Sequence, residues 1–538
     1  VSAGDEAVVN ETRRGRIAFA GAVAIVAFAV VAAHVVRLPE PLGIDQGLFA
    51  CFARWVPRGW LPYRDIFDSK PPLFLYWWSA SALVPADVVR AAWWWEGLWL
   101  CATLGVAYLL GARVWGRWEG LAAAGLLFLG LWSPAWGGFW SRAQAEEVLT
   151  LPMLGSAWLA WRAVERPRLS FWAGVLVGVC GLCKIPSMAM ALSWAVTWFA
   201  SAPPRATRAS MGRVAWMVAG LLVPWSLALA WFAAHGATSA FVEGVFVYHR
   251  YNAAFIAPPW GGVLRDYAGK MISEATLPIA LAAVGVAHLL RSRAGAHARE
   301  GSWLASWIAA TMAAVVLQRQ LAGYQYMLAV PALAMAGGYG LVWMVRAAVA
   351  ADTRIVAGAG LFATALLALR EGQAWARVYG PDLDVTRGLI TRDAYLRTIQ
   401  PGGFSMADEE HAASWLRDHT SPSDGLLVWG LSPGIYALAD RHPVTRFPFH
   451  KILMTDAPLS RMWPGLDERR ARLMDRLGRD PPAYVLVGVG DRNGFEPMDS
   501  YTSMMQLPPL RRMLQDDYTL EPPLGRFMVY RRQSPDSK

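Results

Sequence analysis

Apolar residues in this chain gather into long runs bounded by arginines instead of alternating with polar ones, the pattern of membrane-spanning helices rather than of a soluble core. Runs near 17–36, 91–111, 119–134, 148–164, 170–183, 187–201, 214–234, 273–290, 302–317, 321–345 and 355–369 predict about eleven spans. Several fall short of the roughly twenty residues a span needs, notably the two divided by Lys184-Ile185-Pro186. The membrane part therefore covers 1–370, with long loops at 37–90 and 235–272. Residues 371–400 read as a linker and 401–538 as a small soluble α/β domain. In that tail, Ser405 with Asp408 predicts a capped helix through Thr420, and Leu426–Trp429, Tyr484–Val487 and Phe527–Tyr530 predict strands. Gly488-Val489-Gly490 lacks the third glycine of a dinucleotide fingerprint and reads as a turn. The expected fold class is an α-helical polytopic membrane protein with a C-terminal α/β domain.

Composition agrees: 55% of the 538 residues are hydrophobic, 17% are charged and 29 are tryptophan, which excludes disorder. A mean hydropathy of +0.29 is modest for a polytopic protein, so a sizeable part of the chain lies in water. Four cysteines are too few for a disulfide framework, and Cys180 and Cys183 fall in an apolar run where helix packing accounts for them. The first run has no cleavage pattern after it and is expected to remain as a span.

The net charge of +10 sits mostly in short loops between spans, so no nucleic-acid partner is expected. Arg13, Arg14 and Arg16, then Arg113 and Arg117, then Arg162, Arg166 and Arg168 fall on one face. Arg205, Arg208 and Arg213, then Arg291, Arg293 and Arg299, then Arg346 and Arg354 join them. The positive-inside rule makes that face cytoplasmic. The expectation is a multi-pass plasma-membrane (inner-membrane) protein with a cytoplasmic N-terminus, and with both long loops and the tail extracytoplasmic.

The first long loop is rich in candidate chemistry. Asp45 follows the first span and is either a general base or the cap of the next helix. Arg64 and Asp68 precede Lys70, which two prolines hold at the interface beside an aromatic belt. A cation placed there suits a lipid phosphate, or is an ordinary snorkelling lysine. Arg142 stands before Glu146 and Glu147, at the start of the fourth span, where a helix dipole favours acids in any case. Lys184 is a topological marker or a phosphate ligand. Tyr248, His249 and Asn252 in the second long loop, and Arg319, Gln320, Tyr324 and Tyr326 near a later span, are candidate substrate contacts. His249 has no second His or Cys at ligand spacing, so a divalent metal would need carboxylates from distant loops.

Taken together, these segments resemble the GT-C membrane glycosyltransferases of the protein O-mannosyltransferase and aminoarabinose transferase type. The resemblance rests on Asp45-Gln46-Gly47, on Arg64-Asp65 followed by Asp68-Ser69-Lys70-Pro71-Pro72-Leu73, and on Arg142-Ala143-Gln144-Ala145-Glu146. Lys184-Ile185-Pro186-Ser187 and the segment Gly323–Ala334 add to it, and it runs over roughly residues 15–370. It implies transfer of a sugar from a polyprenyl-phosphate donor to a lipid, glycan or protein hydroxyl at the outer membrane face. In that reading Asp45, with Glu146 or Glu147, is catalytic, while Lys70, Arg142 and Lys184 face the donor phosphate. Asp68, Arg64, Tyr248, His249, Arg319 and Tyr324 would contact substrate. Two departures from the family pattern stand out: Ser69 where some relatives carry an acid, and Glu rather than Asp at the fourth span. The rival reading is a transporter or flippase, which typically buries charge at mid-span and shows paired half-repeats. This chain keeps its charges near span ends.

Overall fold

The structure, a computed structural model, describes residues 3–200, 207–250, 260–291, 298–319, 321–350, 354–399, 403–453, 465–493 and 498–533. Of the residues singled out above, Arg205, Asn252, Arg293 and Gln320 lie outside the described residues.

Helix α1 (Ala3–Val36) leads into α2 (Ile44–Trp55) and α3 (Pro72–Ala80), both within the first long loop. The bundle continues through α4 (Val88–Val114), α5 (Arg117–Leu131), the single turn α6 (Ala145–Val148), α7 (Thr150–Ala163), α8 (Leu169–Gly181) and α9 (Met190–Ala200). It closes with α10 (Thr207–Ala234), α11 (Thr238–Val242), α12 (Trp260–Glu274), α13 (Thr276–Arg291), α14 (Ala298–Gln318), α15 (Val330–Val349) and α16 (Arg354–Thr386). Among the described residues six helices are long and apolar enough to cross a membrane, and a seventh span results if α12 and α13, bent by 88°, count as one. Helices α5, α7, α8 and α9 have 15, 14, 13 and 11 residues, short of the roughly twenty needed for a straight crossing.

Glycines set how closely these helices approach. A Cβ on Gly174 of α8 would lie 1.9 Å from the Met217 carbonyl oxygen of α10, and one on Gly220 would lie 2.0 Å from that of Phe171. Small residues let helix backbones touch where lipid supplies no hydrophobic drive.

Among the described residues, several of the arginines grouped by sequence stand at one end of the bundle. Arg117 donates to the Gly15 carbonyl, Arg213 to those of Ala163 and Val164, and Arg346 to Glu119. The opposite end carries α2, α3, the turn around α6 and the tail.

The expected linker is helical through Thr386, because α16 continues past Pro381, and α17 (Arg392–Thr398) follows. In the tail come α18 (Met406–His419), β1 (Leu426–Trp429), α19 (Gly434–Ala439), α20 (Leu466–Arg479) and β2 (Tyr484–Gly488). Then follow α21 (Ser500–Met505), α22 (Pro508–Asp517), β3 (Tyr518–Leu524) and β4 (Phe527–Arg532). Ser405 caps α18 by accepting from the Asp408 N–H, as the sequence predicts. The sheet has the order β1-β2-β4-β3, with β1 and β2 parallel and the other pairs antiparallel. Leu427, Trp429, Val485 and Val487 pack with Leu473, Leu477, Leu510 and Leu514 on one face. Leu426, Val428, Leu486 and Val529 join Ala412, Leu416 and the membrane part on the other. The parallel pair β1 and β2 is covered on both faces, and its residues are buried at every position.

Candidate functional site

At the end of the bundle opposite the arginines, α2 begins with Asp45 in its first turn. Gln46 is wholly buried and its Nε2 donates to the carbonyls of Phe139, Trp140 and Arg142 at 3.1, 3.0 and 2.9 Å. The start of α2 is thus clamped to the loop before α6. Gln144 completes the clamp by donating to Asp45 Oδ2 at 3.1 Å, leaving the carboxylate half-buried and oriented.

The segment before α3 brings in Lys70. Asp68 Oδ1 accepts from the N–H groups of Ser69 and Lys70, Tyr63 donates to the Lys70 carbonyl, and the Leu73 N–H donates to the Leu182 carbonyl. That last bond brings the Lys70 segment alongside the break between α8 and α9, where Lys184 forms an ion pair with Glu146. Lys184 Nζ also lies 5.4 Å from the Tyr324 ring, and Lys70 Nζ lies 5.8 Å from the Phe49 ring. His249 closes the group through a 2.7 Å contact between its Nε2 and the Ser69 carbonyl oxygen. Residues from six separate stretches of sequence therefore converge: Asp45, Asp68 with Lys70, Glu146, Lys184, Tyr324 and His249.

The electrostatics of the cluster follow from this crowding. Burial pushes the Lys70 pKa down, but Tyr324, Asp45, Asp68 and Glu146 outweigh it and raise the pKa well above the usual range, so the ammonium keeps its charge. Burial raises the Asp68 carboxyl to about 6 against the opposing pull of Lys70. Burial lowers the His249 imidazole to about 4, leaving it neutral at pH 7.

Several expected site residues stand elsewhere. Arg142 is 1% exposed and lies in a separate buried network, donating to Glu96 Oε2 at 2.5 Å, Glu40 Oε2 at 2.9 Å and the Arg37 carbonyl. Its guanidinium stacks 4.0 Å from the Trp93 ring. Glu147 turns away from Glu146, accepting from Trp132 Nε1 at 3.1 Å and from the Ala143 N–H at 2.9 Å. Arg64 is exposed and paired with Asp65, Tyr248 packs 5.6 Å from the Phe67 ring, and the Arg319 guanidinium lies 4.7 Å from the Trp260 ring. Sequence reading gave no role to Gln46 and Gln144, although both stand within the quoted motifs, nor to Arg37, Glu40 and Glu96, of which Glu96 falls inside a predicted span. Among the described residues no group of three or more His, Cys, Asp or Glu side chains is placed to hold a metal ion.

Over 96% of its length the chain shares the fold of a GT-C membrane glycosyltransferase. That structure is ArnT from Cupriavidus metallidurans bound to undecaprenyl phosphate, 14% identical, with 98% of its own chain covered and a TM-score of 0.59. The same protein in the apo state is 15% identical over 95% of this chain and 98% of that one, at a TM-score of 0.57. The Archaeoglobus fulgidus oligosaccharyltransferase tethered to an acceptor peptide aligns less well, at 13% identity, 96% and 74% coverage and a TM-score of 0.48. No family model and no curated protein matches the sequence significantly.

Two predictions follow from the geometry. Arg142→Leu leaves Glu40 and Glu96 buried with one cation fewer, and should lower stability by about 3–5 kcal/mol. Thermal unfolding in detergent checks it, and the double change Glu96→Gln with Arg142→Met should lose less than Arg142→Leu alone. The second concerns Asp68, whose pKa rises on folding from 3.8 to about 6. The folded state then holds more proton than the unfolded state between those values, so this residue's stabilising contribution is present below about pH 4 and is lost as pH climbs through about 6. Unfolding free energies of Asp68→Asn and wild type across that range should converge at acid pH, with wild type falling relative to the variant above it.

Proposed function

We propose that the protein transfers a sugar from a polyprenyl-phosphate donor to an acceptor hydroxyl, at the membrane face that carries α2 and α3. One observation carries this reading: Asp45, Lys70, Glu146 and Lys184 meet in one cluster. They do so in a chain whose fold matches, over nearly its whole length, an ArnT solved with undecaprenyl phosphate.

The chemistry needs three things. The acceptor hydroxyl must lose its proton as its oxygen bonds to the anomeric carbon, and Asp45 takes that proton. A well-placed carboxylate base contributes about 10²–10⁴ in rate. The bond from the anomeric carbon to the phosphate oxygen breaks with its electron pair, and the departing polyprenyl phosphate is met by Lys70, whose charge its acidic surroundings maintain. Lys184 adds a second cation, held in place by Glu146. Because Gln144 fixes the Asp45 carboxylate, base and cations keep a set separation that orients the two substrates. Arg142 and Glu147 take structural roles in this scheme, holding the loop from which Gln144 and Glu146 project.

We further assign the arginine-rich end to the cytoplasm, by the positive-inside rule. The N-terminus is then cytoplasmic, and the site and tail (401–538) lie outside. The short helices α5, α7, α8 and α9 complete about eleven crossings with their flanking turns, around a membrane part ending near residue 370.

Two substitutions test the roles. Asp45→Asn should lower transfer from radiolabelled polyprenyl-phosphate sugars in proteoliposomes by at least about 10²-fold, with donor binding retained; unchanged turnover would remove Asp45 as base. Lys70→Ala should weaken donor affinity by about tenfold or more, the loss of one charge-assisted contact. An unaltered affinity would take Lys70 out of the phosphate site.

A further inference from the structure

A groove of about 800 Å³ lies where the end of α1 and the start of α4 meet the tail. Its apolar residues come from the two spans, among them Val35, Val88, Val89 and Trp94. Its arginines stand at or beyond the span ends: Arg54 on α2, Arg90 in the first turn of α4, Arg392 on α17 and Arg417 on α18. The groove shares no residue with the Lys70 cluster, and Arg54 lies nine residues past Asp45, about 14 Å along the axis of α2.

Helices α1 and α4 are neighbours, since the His34 ring lies 5.4 Å from that of Trp94, and a Cβ on Gly97 would lie 2.6 Å from His34. Each carries an exposed apolar stripe that runs from the groove into the membrane, Phe28, Val31 and Val35 on α1 and Trp94 and Leu98 on α4. At the end of a span the bilayer passes from acyl chains to headgroups. The groove stands at that level, with cations on its outer part and lipid-facing side chains below.

Net charge does not distinguish it, because Asp87 and Glu410 also line the groove and Asp440 stands behind it. These carboxylates are engaged. Glu410 holds Arg392, Asp87 caps α4 and lies 3.6 Å from Arg90, and Asp440 pairs with Arg58 at 2.8 Å, leaving Arg54 at 3.9 Å. Arg417 reaches only the Leu438 carbonyl at 3.4 Å and the Ser414 hydroxyl at 3.5 Å. Among the described residues it has no carboxylate within 4 Å, its neighbour Asp418 included. Burial lowers the Arg54 pKa, and Arg58 and Arg417 act in the same direction against Asp440 and Asp87.

We propose that this groove binds an anionic phospholipid, with the headgroup phosphate at Arg417, Arg54 and Arg90 and the acyl chains along the stripes of α1 and α4. Forked guanidiniums suit phosphate oxygens, and juxtamembrane arginines favour anionic headgroups. A zwitterionic lipid brings an ammonium that the same arginines repel, and a soluble phosphate leaves the apolar half of the groove unused. A lipid held there joins α1 and α4 to α17 and α18, and so secures the tail on the membrane. Neither the groove nor its ligand depends on the transfer reading.

Native mass spectrometry of the full-length protein in detergent, titrated with dioleoylphosphatidylglycerol or dioleoylphosphatidylcholine, tests this. Wild type should bind the first more tightly. Arg90→Gln with Arg417→Gln, both at exposed positions, should weaken phosphatidylglycerol binding by about tenfold or more. Arg479→Gln with Arg531→Gln removes the same charge from exposed pairs with Asp475 and Glu521, and should not. No preference for phosphatidylglycerol in wild type, or equal weakening in the two double variants, would overturn the proposal. Glycerol 3-phosphate added at the lipid's concentration should leave the bound lipid in place. Displacement by it would mean a soluble anion site and overturn the assignment to a lipid.

Discussion

The burial of Arg142 is the constraint from which the site's geometry follows. A guanidinium taken wholly out of water is costly unless its charge and its N–H groups are met. Here Glu96 from within α4, Glu40 from the end of the first span and the Arg37 carbonyl meet it together. Arg37 in turn bonds Glu40 at 3.0 Å and stacks between Trp132 and Tyr379. No member can move without stranding another, so the loop around Arg142 is held at one place relative to α1, α4 and α16. That loop presents the three carbonyls that bind Gln46, and the side chain of Gln144 that binds Asp45. The position of the candidate base is thus inherited from a buried ion network that Asp45 itself does not join.

The other side of α2 is fixed by the tail. A Cβ on Gly47 would lie 2.7 Å from Gly434 Cα, so α2 and α19 meet backbone to backbone. Arg54 donates to the Ala437 carbonyl and Arg58 pairs with Asp440, which extends the contact along the helix. Phe67 and Tyr248 are buried among tail residues that include Phe447 and Leu453. The α/β domain therefore supports the helix that carries Asp45 and the segment that carries Lys70, and is more than an appendage beyond the last span.

Much of this was legible in the sequence, and the failures have physical causes. Asp45, Lys70, Glu146, Lys184 and Tyr324 were singled out by their places at the ends of apolar runs, and they do converge. Sequence position does not reveal direction, however. Glu146 and Glu147 are neighbours on one helical turn, and the roughly 100° between successive residues sends one to Lys184 and the other to Trp132. Arg142 looked equivalent to the lysines because its acidic partners come from residues 40 and 96, too far along the chain to be paired by inspection. Strand β3 escaped detection because Glu521-Pro522-Pro523 interrupts any apolar alternation. It lies at the edge of the sheet, where proline is tolerated because no further strand needs its N–H.

The division of cations in the molecule supports the assignment of the site. The chain has few lysines, Lys70, Lys184, Lys270, Lys451 and Lys538, among 50 basic residues. Two of them stand in the cluster with Asp45. A buried structural charge favours arginine, because a planar fork with five donors can satisfy several fixed acceptors at once, as Arg142 does. A cation that must meet a phosphate arriving and leaving with different bonding gains from the opposite properties, a compact charge on a flexible stem whose donors can turn. Arginine predominates almost everywhere else in the chain. Lysine stands instead at the two cationic positions of the cluster, 70 and 184, which is consistent with the phosphate role proposed for them.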